Sequence, residues 1–162
     1  MNNFNLNAPI IPNQSAGGFQ IGKHISQYAA DIQQFFYKSS EGTDISARLY
    51  SKFRIQYRWE ENILLDFDII TGQLLLIGVL SNYKGQLLGK ISLGMTIKEA
   101  LIIEPNLYYD DFEAGYFLDD ENGKQLGISI FLEEEADHLK LPNNRIVEIS
   151  IFRHELMIID KP

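Results

Sequence analysis

Asp66 and Asp68 stand two residues apart in a run of alternating apolar positions. Both carboxylates therefore face one side of a strand, where a magnesium-dependent nuclease could place ligands. No third carboxylate and no phosphate-gripping Lys follows at a recognisable distance, so the plainer expectation is a solvated strand face. His24, His138 and His154 are scattered, without the paired spacing that zinc hydrolases use on a helix. No Ser lies in a Gly-x-Ser-x-Gly elbow, and no glycine loop ends in Gly-Lys-Ser/Thr. The acidic stretch Asp119-Asp120-Glu121 lacks the terminal Glu of a calcium loop, and the Asn122-Gly123 that follows reads as a type I′ hairpin turn. The remaining reactive side chains are acidic and aromatic. Tyr108, Tyr109, Asp110, Asp111, Phe112, Glu113 and Tyr116 form one dense patch, and Glu133, Glu134, Glu135 and Asp137 form a second acidic run. Aromatic anchors among carboxylates suit the docking of a basic partner, with the charges steering encounter. The expected partner-binding set is Tyr108, Tyr109, Asp110, Asp111, Glu113 and Tyr116, with Glu133, Glu134, Glu135 and Asp137. No catalytic residue, metal site or cofactor is expected.

The elements that must position them come in two similar rounds. Gly17 to Ile25 returns in outline as Gly89 to Ile97, with Gly22 corresponding to Gly94. After the first copy, Ile21, Ile25, Tyr28, Ala29, Ile32, Phe35 and Phe36 recur at intervals of three and four, which predicts a helix from about His24 to Tyr37. The period then changes to two. Phe53, Ile55, Tyr57 and Trp59 alternate with Arg54, Gln56 and Arg58, a half-buried strand with a basic outer face. Leu65 to Ile69 and Leu74 to Leu80 complete an antiparallel meander. After the second copy, Thr96 caps a short helix with Glu99 as its reciprocal partner, and Pro105 stops it. Strands are expected near Tyr108-Tyr109 and over Gly115 to Leu118, Leu126 to Leu132 and Arg145 to Phe152. The fold class predicted is α+β: two helix-plus-meander repeats, about 17–80 and 89–152, forming one broad twisted sheet with helices on one face. Residues 1–16, rich in Asn, Pro and Ser, read as a flexible N-terminal arm ahead of a single domain over 17–162.

Composition narrows the partners. The 162 residues carry a formal net charge of −8, with no basic stripe, which opposes nucleic-acid and anionic-membrane binding and suits a basic protein. Zero cysteines exclude disulfides and thiolate chemistry. The N-terminus lacks a basic region followed by an apolar one, so a cytoplasmic location is expected.

Leu93-Gly94-Met95-Thr96-Ile97-Lys98-Glu99-Ala100, together with Arg145 to Phe152, resembles the tandem-repeat fold of beta-lactamase inhibitor proteins and of small relatives of outer-membrane assembly lipoproteins. In the first copy, Lys23-His24 stands where Met-Thr would be expected. The whole chain, including Tyr108-Tyr109-Asp110-Asp111 and Glu113-Ala114-Gly115-Tyr116-Phe117, also looks like immunity partners of polymorphic or contact-dependent growth inhibition toxins. That resemblance implies a non-enzymatic antitoxin that neutralises a cognate toxin domain, often a nuclease, by binding it in the cytoplasm. A structural or assembly module without a toxin partner is the alternative, and a metal-dependent enzyme using Asp66 and Asp68 is a further one.

Overall fold

Apolar residues at every second position give eight strands that hydrogen-bond into one antiparallel sheet. A computed structural model of the chain describes residues 4–39 and 45–157, without the side chains of residues 35, 36, 38, 39, 45 and 50. Residues 40–44 and 158–162, and the side chains of Phe35 and Phe36 from the expected helical face, lie outside that description. A two-stranded hairpin, β1 (Ser15–Ala16) and β2 (Phe19–Gln20), precedes a 3-10 turn (Ile25–Tyr28) that runs into α1 (Ala29–Ser39). The first meander is β3 (Ile45–Ser51), β4 (Arg54–Trp59), β5 (Ile63–Asp68) and β6 (Leu74–Leu80). Then α2 (Ile97–Ile103) leads into the second, β7 (Tyr108–Asp110), β8 (Gly115–Asp119), β9 (Gln125–Leu132) and β10 (Ile146–Phe152), before α3 (His154–Met157). The strand order is β3-β4-β5-β6-β10-β9-β8-β7, so the last strands of the two meanders meet antiparallel at the centre. The class is α+β and dominated by this sheet.

The pleat sorts side chains into two faces. On one, Trp59, Ile63, Val79, Ile149, Ile130, Tyr116 and Tyr109 form a single row across seven strands, each beside the next in register. All seven are bulky, and they pack into one core with Tyr28, Ile32, Ile97 and Ala100 from the helical segments. The expectation of helices on one face needs correction, because His154 and Met157 of α3 border a hollow on the other side of the sheet.

The entries to the two helical segments use the same backbone bonds. The amide of Gly22 donates to the Leu74 carbonyl, Leu74 to Lys23, and Ile25 to Gly72. In the second half Gly94 donates to Ile146, Ile146 to Met95, and Ile97 to Asn144. All five positions in one set are displaced by the same interval from those in the other. Gly22 and Gly94 both adopt positive φ, +84° and +79°. Thr96 accepts the Glu99 amide in a capping box, whereas His24 Nδ1 accepts the Ser26 amide 3.2 Å away. An imidazole thus caps where the first copy lacks a threonine.

Three local expectations change. Residues 4–16 are not a loose arm: Ile10 and Ala16 are 1% exposed, and the Ile10 amide bonds Gln86. The Tyr83 hydroxyl donates to the Ala8 carbonyl and accepts the Gly17 amide, both at 2.7 Å. A Cβ on Gly85 would fall against the Ala8 backbone, so only glycine permits this approach. The hairpin at Asn122-Gly123 is not type I′, because only Gly123 has positive φ. Asp120 accepts the Asn122 and Lys124 amides and replaces the expected turn by a type I turn closed by a glycine bulge. Finally, the first meander has a fourth strand, β3, at the edge of the sheet, where Ser46, Ala47, Arg48 and Leu49 are all exposed.

Candidate functional site

The second face of the sheet carries a hollow of about 690 Å³. Its shape follows from the sequence. Across it runs the row Arg58, Leu64, Gly78, Ser150, Ser129, Phe117 and Tyr108. The three central positions are small, while every residue of the row on the core face is large, so the middle of the sheet is thin on this side. Leu64, Leu76, Phe117, Phe131 and Phe152 make much of the lining apolar. Glu148 Oε1 accepts from Ser150 Oγ at 2.7 Å and lies beside Gly78, where a Cβ would come within 3.2 Å of it.

Charge is divided across the hollow. Arg48, Arg54 and Arg58 border the side of β3 and β4, and Asp110 and Glu113 border the side of β7 and β8. Each arginine already has an acceptor: Arg48 Nε donates to Gln56 Oε1 (2.9 Å), Arg54 Nη2 to the Met157 carbonyl (3.2 Å), and Arg58 Nη2 to Glu61 (2.6 Å). Asp66 differs. It is 3% exposed, Gln56 is its side-chain partner, and no hydrogen bond within the described residues reaches its buried Oδ1. Burial pushes its carboxyl up to about 6, against the hydrogen bond from Gln56 and the charges of Arg54 and Arg48, while Glu148 adds to the rise.

Asp68 shares the strand face with Asp66 but has another task. Its Oδ1 accepts the Ile70 and Thr71 amides, both at 2.7 Å, and so closes the turn between β5 and β6. The two aspartates of the candidate metal pair are thus differently committed. Among the described residues, no group of three His, Asp or Glu is arranged to hold a metal ion.

The acidic aromatic patch is split by the pleat of β7. Tyr108 and Asp110 point to the hollow face, where the Tyr108 hydroxyl donates to Asp119 (3.1 Å). Tyr109 points to the other face and packs on Tyr116 with ring centroids 5.1 Å apart. Asp111, Glu135 and Asp137 lie near Tyr109, and burial followed by their charges raises its phenol. Tyr116 is 0% exposed, a correction to its expected surface role. Its hydroxyl meets His138 Nδ1 at 3.1 Å and accepts the His138 amide, and burial pushes it up to about 12. Tyr116 therefore moors the acidic loop from below. In that loop Glu133, Glu134 and Glu135 are exposed, and Asp137 accepts the Leu139 and Lys140 amides.

Phe112, outside the expected set, is 94% exposed at the tip between β7 and β8. Asp110 Oδ1 accepts the Phe112 and Glu113 amides (2.8 and 3.0 Å), so the ring is presented by an ordered turn. Its hydrophobicity inside Asp111-Phe112-Glu113 was the available sequence signal. Gln56 and Glu148 were not detectable, since their meeting with Asp66 depends on strand register.

No protein-family model matches the chain, and no curated protein matches it. A crystal structure of the uncharacterized protein YfeY from Escherichia coli is similar in fold, with a TM-score of 0.52. The two are 13% identical over 88% of this chain and 99% of that one. No helix within the described residues is long and apolar enough to cross a membrane.

Proposed function

We propose that the chain is a non-enzymatic binding protein that captures a basic protein partner, in the form of an immunity protein that neutralises a bacterial toxin domain in the cytoplasm. The observation that carries the reading is the sheet face that the described residues leave open: a broad hollow lined by apolar and polar side chains together, with carboxylates at one rim, arginines at the other, and an ordered, exposed Phe112 beside the carboxylates. Aromatic and apolar side chains ringed by charge are what a specific protein interface offers. We read the two halves as one unit used twice, supported by the matching backbone bonds at Gly22 and Gly94. Such a duplication places two meanders side by side and widens the face available to a partner.

The test is binding to, and protection from, a toxin domain encoded beside this protein's gene. Asp110→Lys with Asp111→Lys should slow association at low salt and less at high salt, because ions screen the steering field. Phe112→Ala should act on dissociation, weakening binding by about 2 kcal/mol if the ring is buried by the partner. Unchanged rates in both variants would remove this rim from the interface. A toxin that the protein neither binds nor inhibits would refute the immunity reading.

A further inference from the structure

The unmet demand in the hollow is for a hydrogen-bond donor. Its arginines are engaged, whereas Asp66 keeps a buried oxygen with no partner within the described residues. Buried polar atoms are satisfied as a rule, so an exception in a residue that lines an open hollow marks a place that a ligand completes. We infer that the hollow receives an arginine side chain from a protein partner, with the guanidinium bound by Asp66 and Glu148.

Three observations select that group. The Glu148 charge adds to the rise of the Asp66 carboxyl even beside Arg54 and Arg48, so the two carboxylates lie near enough to share one cation. Phe117, Phe131 and Phe152 line the same space, and a guanidinium, planar and weakly hydrated, stacks on aromatic faces better than an ammonium does. Gly78 leaves room for Glu148 to fold over the sheet, which puts its carboxylate above the floor rather than out in solvent. The inference rests on the proposed reading only in taking the donor from a protein; the site itself needs no known partner to be examined.

The experiment is a nuclear magnetic resonance titration of the full chain with N-acetyl-arginine methylamide at pH 7.5, up to about 50 mM, since one side chain alone binds in the millimolar range. Saturable shifts are expected at the amides of Leu64, Asp66, Ser129 and Ser150. The neutral citrulline analogue should bind at least about tenfold more weakly, because it forms hydrogen bonds without charge. Asp66→Asn and Glu148→Gln should each weaken the arginine probe by about tenfold while the protein stays folded. Absence of saturable shifts at these amides, equal binding of citrulline, or undiminished binding in both variants would overturn the inference. Equal binding of the lysine analogue would overturn the choice of a planar cation. Toxin neutralisation by a protein that fails this titration would leave the immunity reading standing, and arginine binding without any toxin partner would leave this one standing.

Discussion

At the scale of single residues, Asp66 trades stability for an available charge. Unfolded, its carboxyl titrates near 3.8; folded, near 6. Between those values the native state holds the extra proton, so this group's contribution to stability declines as pH rises through the window, and the full penalty is present above pH 6. The two-unit displacement corresponds to roughly 3 kcal/mol as an upper bound, because relaxation around a buried charge reduces it. Asp66→Asn should therefore raise the urea midpoint at pH 7.5 and flatten the stability profile between pH 4 and 6. An equal fall in stability at every pH would assign Asp66 a packing role instead. Tyr116 lies at the other extreme: buried, hydrogen-bonded and raised to about 12, it stays neutral and structural throughout. Its sequence neighbourhood gave no warning, because inward and outward residues of a short strand differ only in register.

At the scale of elements, the two caps make the repeat testable. Thr96→Ala removes a capping box and should cost about 1 kcal/mol. His24→Ala should have a smaller effect, since its bond to the Ser26 amide has no reciprocal partner like the one Glu99 gives Thr96. Chemical denaturation of both variants checks the pair; a silent His24→Ala would deny the imidazole a capping role. Much at this scale was legible in the sequence. The capping box, the stop at Pro105, and six of the eight main strands followed from spacing and polarity, with β7 only as a pair of tyrosines. What failed to show was β3, an exposed edge strand in which Ala47 and Leu49 alternate with Ser46 and Arg48 over only a few positions, and the turn at Asp120, where a side chain took over bonds assigned to backbone conformation. The hollow was legible only in part: Arg54, Arg58 and Asp66 shared a predicted polar face, but the Gly78, Ser150 and Ser129 trough needs cross-strand register.

At the scale of the whole molecule, the N-terminal segment is part of the core and not an appendage. Deleting residues 1–16 removes Ile10 and Ala16 from the interior and the Ala8 carbonyl from Tyr83. The expected loss is at least about 4 kcal/mol, to be read as a large drop in melting temperature. A truncated chain as stable as the full one would restore the idea of a detached arm. The segment escaped sequence reading because Pro9 and Pro12 exclude helix without excluding an extended path across the linker at Gly85.

The meeting of β6 and β10 also shapes how this protein must fold. Every other neighbouring pair in the eight-stranded order joins strands consecutive in sequence, so their ends are brought together across short connections. Only the central pair links distant stretches of chain, with Glu148 opposite Leu80 and Phe152 opposite Leu76. Within the eight-stranded sheet the largest loop closure is therefore this one, while the remaining strand pairings can zip locally. The seam is where contact order, and with it the search time of the unfolded chain, is set.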